Sequence, residues 1–62
     1  MKKPKAKLAG ENGNVFNLMA LCSKALKEAE MKEKSREMCD KIMKSGSYDE
    51  ALSIMMDYCD VE

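Results

Sequence analysis

Between Val15 and Ala29 the apolar residues fall at steps of three and four. Val15, Leu18, Met19, Cys22, Ala25, Leu26 and Ala29 make one stripe, with Lys24, Lys27 and Glu28 on the other side. That spacing is the signature of an α-helix with one buried face. A helix of this kind needs other elements to cover its stripe. A chain of 62 residues leaves room for only a few short ones. A domain of this size buries about 60% of the surface that its unfolded chain exposes. The core must therefore be small, and a deep pocket between two layers of structure is not expected.

The covering elements can be read on either side of that helix. Lys5 to Ala9 alternates, with Lys5 and Lys7 on one side and Ala6 and Leu8 on the other, as in a short half-buried strand. Gly10 to Gly13 makes a turn. Asn12-Gly13 is a hairpin dipeptide, but no alternating run follows it. Asn14 is instead the expected N-cap of the first helix, accepting from an unpaired N–H of the first turn. From Met31 to Glu37 the apolar pattern lapses without a Gly or Pro. One helix from Asn14 to Lys44 is therefore an open alternative. A break near Glu30 to Lys34 is expected, because a single rod cannot fold back over its own core. The second helix would turn Met38, Cys39, Ile42 and Met43 inward. Ser45-Gly46 should end it, with Gly46 in the left-handed conformation.

Ser47 followed by Glu50 reads as a capping box. Tyr48, Ala51, Leu52, Met55, Tyr58 and Cys59 then form the stripe of a third helix, with Asp49 and Glu50 at its positive end. Asp60, Val61 and Glu62 either extend as a terminal strand or fray. The Lys5 to Leu8 strand has no other extended partner, so it should pair with the residues around Val61, in a direction left open. The expected fold class is mostly α, a small α+β unit. It has three helices and a short N-terminal strand paired with the C-terminal residues. Residues 1–62 should form one domain, with residues 1–4 disordered.

Hydrophobic residues make up 45% of the chain and charged residues 35%, too apolar for disorder and too charged for a membrane span. The net charge of zero hides an asymmetry. Lys2, Lys3, Lys5 and Lys7 precede every acid, and Asp49, Glu50, Asp57, Asp60 and Glu62 follow the last base, Lys44. Such polarity marks either an interaction arm or a head and tail that lie together and neutralise each other. The second reading is preferred. No membrane association is expected. The run from Val15 to Cys22 is too short to span a bilayer, and Pro4, Lys5 and Lys7 interrupt any signal-like segment. A cytoplasmic location is expected.

The chain has no His, which removes the commonest general base and metal ligand. It has no Cys-x-x-Cys, phosphate loop or nucleophile elbow. Cys22, Cys39 and Cys59 are widely spaced, as expected of reduced, buried thiols on separate helices. Zinc held by the three thiolates and a carboxylate would lack close paired ligands. Asp57, Asp60 and Glu62 do not fit a calcium loop. No catalytic residue, metal or cofactor is expected, and the chain is not read as an enzyme.

What remains is a protein-interaction or accessory module. Ile54, Met55 and Met56 are consecutive, about 100° apart around the third helix, so they cannot all enter one small core. With Met55 inward, Ile54 or Met56 is left as the expected partner surface, where flexible Met suits an interface. A second copy of the chain is the simplest partner; a different protein is the other. The runner-up is a nucleic-acid-associated protein using Lys2, Lys3, Lys5 and Lys7 as a basic arm. Nucleic acid is the less favoured partner: no aromatics interleave these lysines, Arg36 is the sole Arg, and the net charge is zero.

Gly46-Ser47-Tyr48-Asp49-Glu50-Ala51-Leu52 looks like the helix start of a tetratricopeptide repeat, but no second copy follows at the repeat period. A broader similarity covers most of the chain. It runs through Lys5-Ala6-Lys7-Leu8-Ala9-Gly10, Gly13-Asn14-Val15-Phe16 and Ala25-Leu26-Lys27-Glu28-Ala29, then Ser45-Gly46-Ser47-Tyr48-Asp49 and the closing Val61-Glu62. These segments resemble a family of small uncharacterised bacterial and phage proteins. Members of that family often have Gly where this chain has Glu30, at the helix break. The resemblance implies a compact α+β unit with both termini extended. It implies no established activity and no site residues.

Overall fold

The first helix, α1 (Val15–Glu28), begins where Asn14 leaves the extended conformation and its side-chain oxygen accepts from the Phe16 N–H at 2.8 Å. The structure is a computed structural model that describes residues 3–62. In chain order its elements are β1 (Lys5–Ala6), α1, α2 (Lys32–Met43), α3 (Tyr48–Tyr58) and β2 (Asp60–Val61).

α1 and α2 are separate helices. Glu30 has φ +60°, the left-handed conformation. Its N–H bonds the Lys27 carbonyl at 3.0 Å, and the Met31 N–H bonds the Leu26 carbonyl at 2.8 Å. These two bonds are the Schellman pattern, which satisfies the last carbonyls of a helix and turns the chain back. Met31 then packs against the core. The break falls where the lapse in pattern predicts it, but a Glu occupies the position that usually takes Gly. A side chain held there costs about 1–2 kcal/mol.

α2 ends differently from expectation. Gly46 does not have a positive φ; among the described glycines only Gly10 does. α2 instead closes through tight turns. The Lys44 N–H reaches the Asp40 and Lys41 carbonyls, and the Ser45 N–H and Oγ both donate to the Ile42 carbonyl, at 3.0 and 2.6 Å. With the carbonyls satisfied this way, no left-handed residue is required. α3 opens on Ser47, whose Oγ accepts from the Glu50 N–H at 3.2 Å. The returning half of the box lands one residue early: Glu50 Oε2 accepts from the Gly46 N–H at 3.3 Å.

β1 and β2 pair in parallel, Lys5 opposite Asp60 and Ala6 opposite Val61. The pairing spreads beyond the strands: the Asp60 N–H donates to the Pro4 carbonyl at 2.8 Å, and Leu8 and Ala9 both donate to the Glu62 carbonyl. Of the stretch expected to be disordered, residues 1–2 lie outside the described residues. Gly10, φ +82°, then supplies the turn from β1 toward α1, closed by the Glu11 N–H on the Leu8 carbonyl.

Leu18, Cys22 and Leu26 of α1, Met38 and Ile42 of α2, and Ala51, Met55 and Tyr58 of α3 meet in one buried cluster, joined by Ala6 and Cys59. Ser35 is buried with them. Met43, expected inward, is 65% exposed. It lies one turn beyond Cys39, which is itself only half-buried, and nothing covers it there. No helix among the described residues is long and apolar enough to cross a membrane.

Candidate docking surfaces

The three consecutive apolar residues of α3 part company as their angular spacing requires. Met55 is fully buried, Ile54 is half-buried against the core, and Met56 is 58% exposed. Met56 also offers its carbonyl to Lys3 Nζ at 3.0 Å.

The basic segment lies along the tail. Lys5 Nζ is 3.6 Å from Glu62 Oε1, the neighbourly neutralisation preferred on sequence grounds. Lys7 is exposed, with no carboxylate in ion-pair range among the described residues. Lys2 lies outside the described residues.

A larger apolar surface lies elsewhere, on Phe16, which periodicity did not mark, and on Met43 and Tyr48, which it placed on inward stripes. Phe16 at the start of α1, Met43 at the end of α2 and Tyr48 at the start of α3 are 58%, 65% and 46% exposed. Together with Val15, Ile42 and Ala51 they line an open hollow of about 350 Å³. The Tyr48 hydroxyl donates to the Gly13 carbonyl at 2.5 Å, which pins the ring across the loop before α1. Asp49 and Glu50 follow Tyr48 in the first turn of α3, and Glu50 Oε2 accepts from the N–H of Gly46, which lines the hollow; Lys44 is tied to Asp40 at 3.1 Å. The Glu50 carboxylate thus stands beside the hollow. One sequence signal was available: Phe16, the sole Phe, falls off the buried stripe of its own helix.

The thiols are packing groups in this geometry. Cys22 and Cys59 are buried, and Cys59 Sγ donates to the Cys22 carbonyl at 3.6 Å. Burial, reinforced by the neighbouring Cys59, pushes the Cys22 thiol up to about 12. Burial raises Cys59 as well. At neutral pH both are protonated, the form that is neither nucleophile nor metal ligand. Cys39, expected to be buried, is half-exposed. Among the described residues no three His, Cys, Asp or Glu side chains gather as metal ligands.

A polar clasp joins α2 to α3. The Tyr58 hydroxyl donates to Glu37 Oε2 at 2.5 Å, and Lys34 Nζ stands 3.8 Å from the same oxygen. The Tyr58 hydroxyl, then Lys34, holds the Glu37 carboxyl below the usual carboxylate range. Lys41 Nζ sits 5.2 Å from the Tyr58 ring centroid, a cation–π contact.

Compared with known proteins, the chain matches no family model, no curated protein and no solved structure.

Proposed function

We propose that the chain is a small non-catalytic protein-interaction module that docks a partner through the hollow between Phe16, Met43 and Tyr48. The observation that carries the reading is the exposure of these three large side chains around one concavity. A contiguous exposed apolar patch on a small domain marks an interaction site. Aromatic and Met side chains are also the types enriched at interface centres. The acidic first turn of α3, beside the hollow, selects the occupant. Two copies joined face to face through this hollow would bring Asp49 and Glu50 against their own kind, and like charges at a rim cost affinity. A different protein, with apolar anchors flanked by Lys or Arg, fits both the hollow and its edge.

The test is site-specific photo-crosslinking from position 16 in the native host, followed by reconstitution with the purified cross-linked protein. Phe16→Asp and Met43→Asp should each abolish that binding while the circular dichroism spectrum stays unchanged. Met56→Lys should leave it intact. Binding that survives both hollow variants but fails in Met56→Lys would move the interface to the outer face of α3. Sedimentation of the wild type showing a dimer dispersed by Phe16→Asp would make a second copy the occupant.

A further inference from the structure

α1 and α2 run side by side from the Glu30 turn, and one side of their seam is cationic. Lys27 of α1 and Lys32 and Arg36 of α2 line a depression of about 200 Å³, with Ser23, Ser35 and Cys39 as its other walls. Lys24 lines the adjoining hollow beside Glu28. Among the described residues none of these four bases has a carboxylate within ion-pair distance. Four bases against one acid is a marked local excess in a chain with 11 of each sign. α2 begins at the same place without a side-chain cap on its first N–H groups, so its positive end adds to the field.

The floor of the depression supplies a second kind of donor. Ser35 is only 2% exposed, and its Oγ lies 2.5 Å from Ser23 Oγ. Two hydroxyls carry two protons, and a bond between them uses one. No protein acceptor among the described residues takes the other. One proton of this part-buried hydroxyl pair and three bases without an ion-pair partner thus line one small concavity.

We infer that this depression binds a single phosphate group. Such a group carries about −1.5 to −2 charge and three strong acceptor oxygens at neutral pH. Arg36 can meet two of the oxygens with its planar fork, and Lys27, Lys32 and the spare serine proton serve the rest. A carboxylate has one charge and two oxygens and leaves most of these donors unused. A nucleic-acid backbone needs cations spread in a row along successive phosphates, whereas these converge. The phosphate comes either free in solution or on a phosphorylated side chain of a protein. The site is independent of the Phe16 hollow.

The experiment is a titration of the isotope-labelled full chain, followed by amide NMR shifts. The probes are inorganic phosphate, a short phosphoserine peptide, its unphosphorylated counterpart and a single-stranded oligonucleotide. Saturable shifts centred on residues 23–36 are expected from the first two and none from the unphosphorylated peptide. The Lys27→Ala, Arg36→Ala double variant should weaken binding at least tenfold with its melting curve unchanged. Arg36→Lys should weaken it less, and Lys7→Ala not at all. Tighter binding of the phosphopeptide would make a phosphorylated protein the source, and equal binding would make it free phosphate; either supports the site. Non-saturating shifts, shifts centred on residues 3–7, or affinity unchanged in the double variant would overturn it. So would an oligonucleotide that binds more tightly than either phosphate probe with a steep dependence on salt.

Discussion

At one end of the molecule α1 and α3 begin and α2 stops; at the other, α1 turns into α2 and α3 hands on to β2. The first end leaves Phe16, Met43 and Tyr48 in solvent. The second buries Leu26, Cys59 and Ala6 to 3% exposure or less. Helical propensity does not explain the contrast, since α1 and α3 each start from a side-chain cap. The connections do. The α1–α2 turn throws Met31 back onto the core, and the two strands lay backbone and Ala6 over it. The α2–α3 connection is Lys44-Ser45-Gly46-Ser47, where the Lys44 side chain points into solvent and the other three are too small to fold over anything. A bundle this small is closed by what its connections carry, and the open end is the one whose connection carries nothing.

The largest expected effect tests that contrast in the core. Leu26→Ala, at the closed end, should cost about 3 kcal/mol. A core of this size rarely supplies more than about 3–5 kcal/mol in total, so the variant should keep little of its stability. Met43→Ala, at the open end, should stay within about 0.5 kcal/mol of the wild type. Urea titration followed by circular dichroism measures both. Equal costs would mean that Met43 belongs to the core and that the two ends do not differ.

The second test concerns the strands. Removing Asp60 to Glu62 takes away the carbonyl that the Leu8 and Ala9 N–H groups share, along with the bonds of the Asp60 and Glu62 N–H groups. At about 1 kcal/mol per hydrogen bond, exchange at Leu8 and Ala9 should quicken about fivefold or more. Amides of α2 should change only as far as global stability falls. Unaltered exchange at Leu8 would mean that the sheet does not help to close this end.

Much of this architecture was legible in the sequence, and the gaps have physical causes. Asn14 and Ser47 announced their helices because a side chain that satisfies an N-terminal N–H is chemically specific. The α1 stripe was readable for the same kind of reason, since it is apolar at every inward position. The first half of α2 was not. Its inward residue is Ser35, three before Met38 and seven before Ile42, so the helical period was present but its polarity hid it. The break near Glu30 was expected, but its left-handed form was not legible because the position is not Gly. Met43 misled because periodicity tells which residues share a face, not whether another element stands opposite. Of Ile54 and Met56, one of which Met55 was expected to force outward, Met56 is the exposed one, but the larger patch at the open end depends on three helix termini meeting. No local pattern encodes that meeting.

The third test compares the two connections directly. Glu30→Gly removes the penalty for a side chain at φ +60° and should stabilise the protein by about 1 kcal/mol. That corresponds to a rise of roughly 4–8 °C in melting temperature for a domain near this size. Gly46 lacks a positive φ, and a Cβ built on it would meet Glu50 Oε2 at 3.7 Å, an ordinary contact. Gly46→Ala should therefore be neutral or slightly stabilising, by up to about 0.5 kcal/mol. A loss above about 1 kcal/mol in Gly46→Ala would show that the open-end connection needs glycine after all. No gain from Glu30→Gly would mean that the Glu30 turn is not strained.

The smallest expected effect sets the two tyrosine hydroxyls against each other, one at each end. Tyr48 donates to a backbone carbonyl, that of Gly13, which does not titrate. Tyr58 donates to the Glu37 carboxylate and is the main cause of its lowered pKa. A carboxyl whose folded pKa lies below its unfolded value, about 4.3, stabilises the fold above that value. The contribution is lost as pH falls through the folded pKa. Tyr58→Phe keeps the ring and its packing but removes the donor. Its melting-temperature deficit should be fully present at pH 7, begin to shrink below about pH 4.3, and reach a minimum once Glu37 is protonated in both states. Glu37 is solvent-exposed and its bond is screened, so the deficit should be modest throughout, and smaller again in high salt. Tyr48→Phe should show a deficit that does not change over the same range. Paired melting curves at pH 7 and pH 3 separate the two. A Tyr58→Phe deficit as flat as that of Tyr48→Phe would remove the Glu37 carboxylate from the clasp and leave Tyr58 contributing through its ring alone.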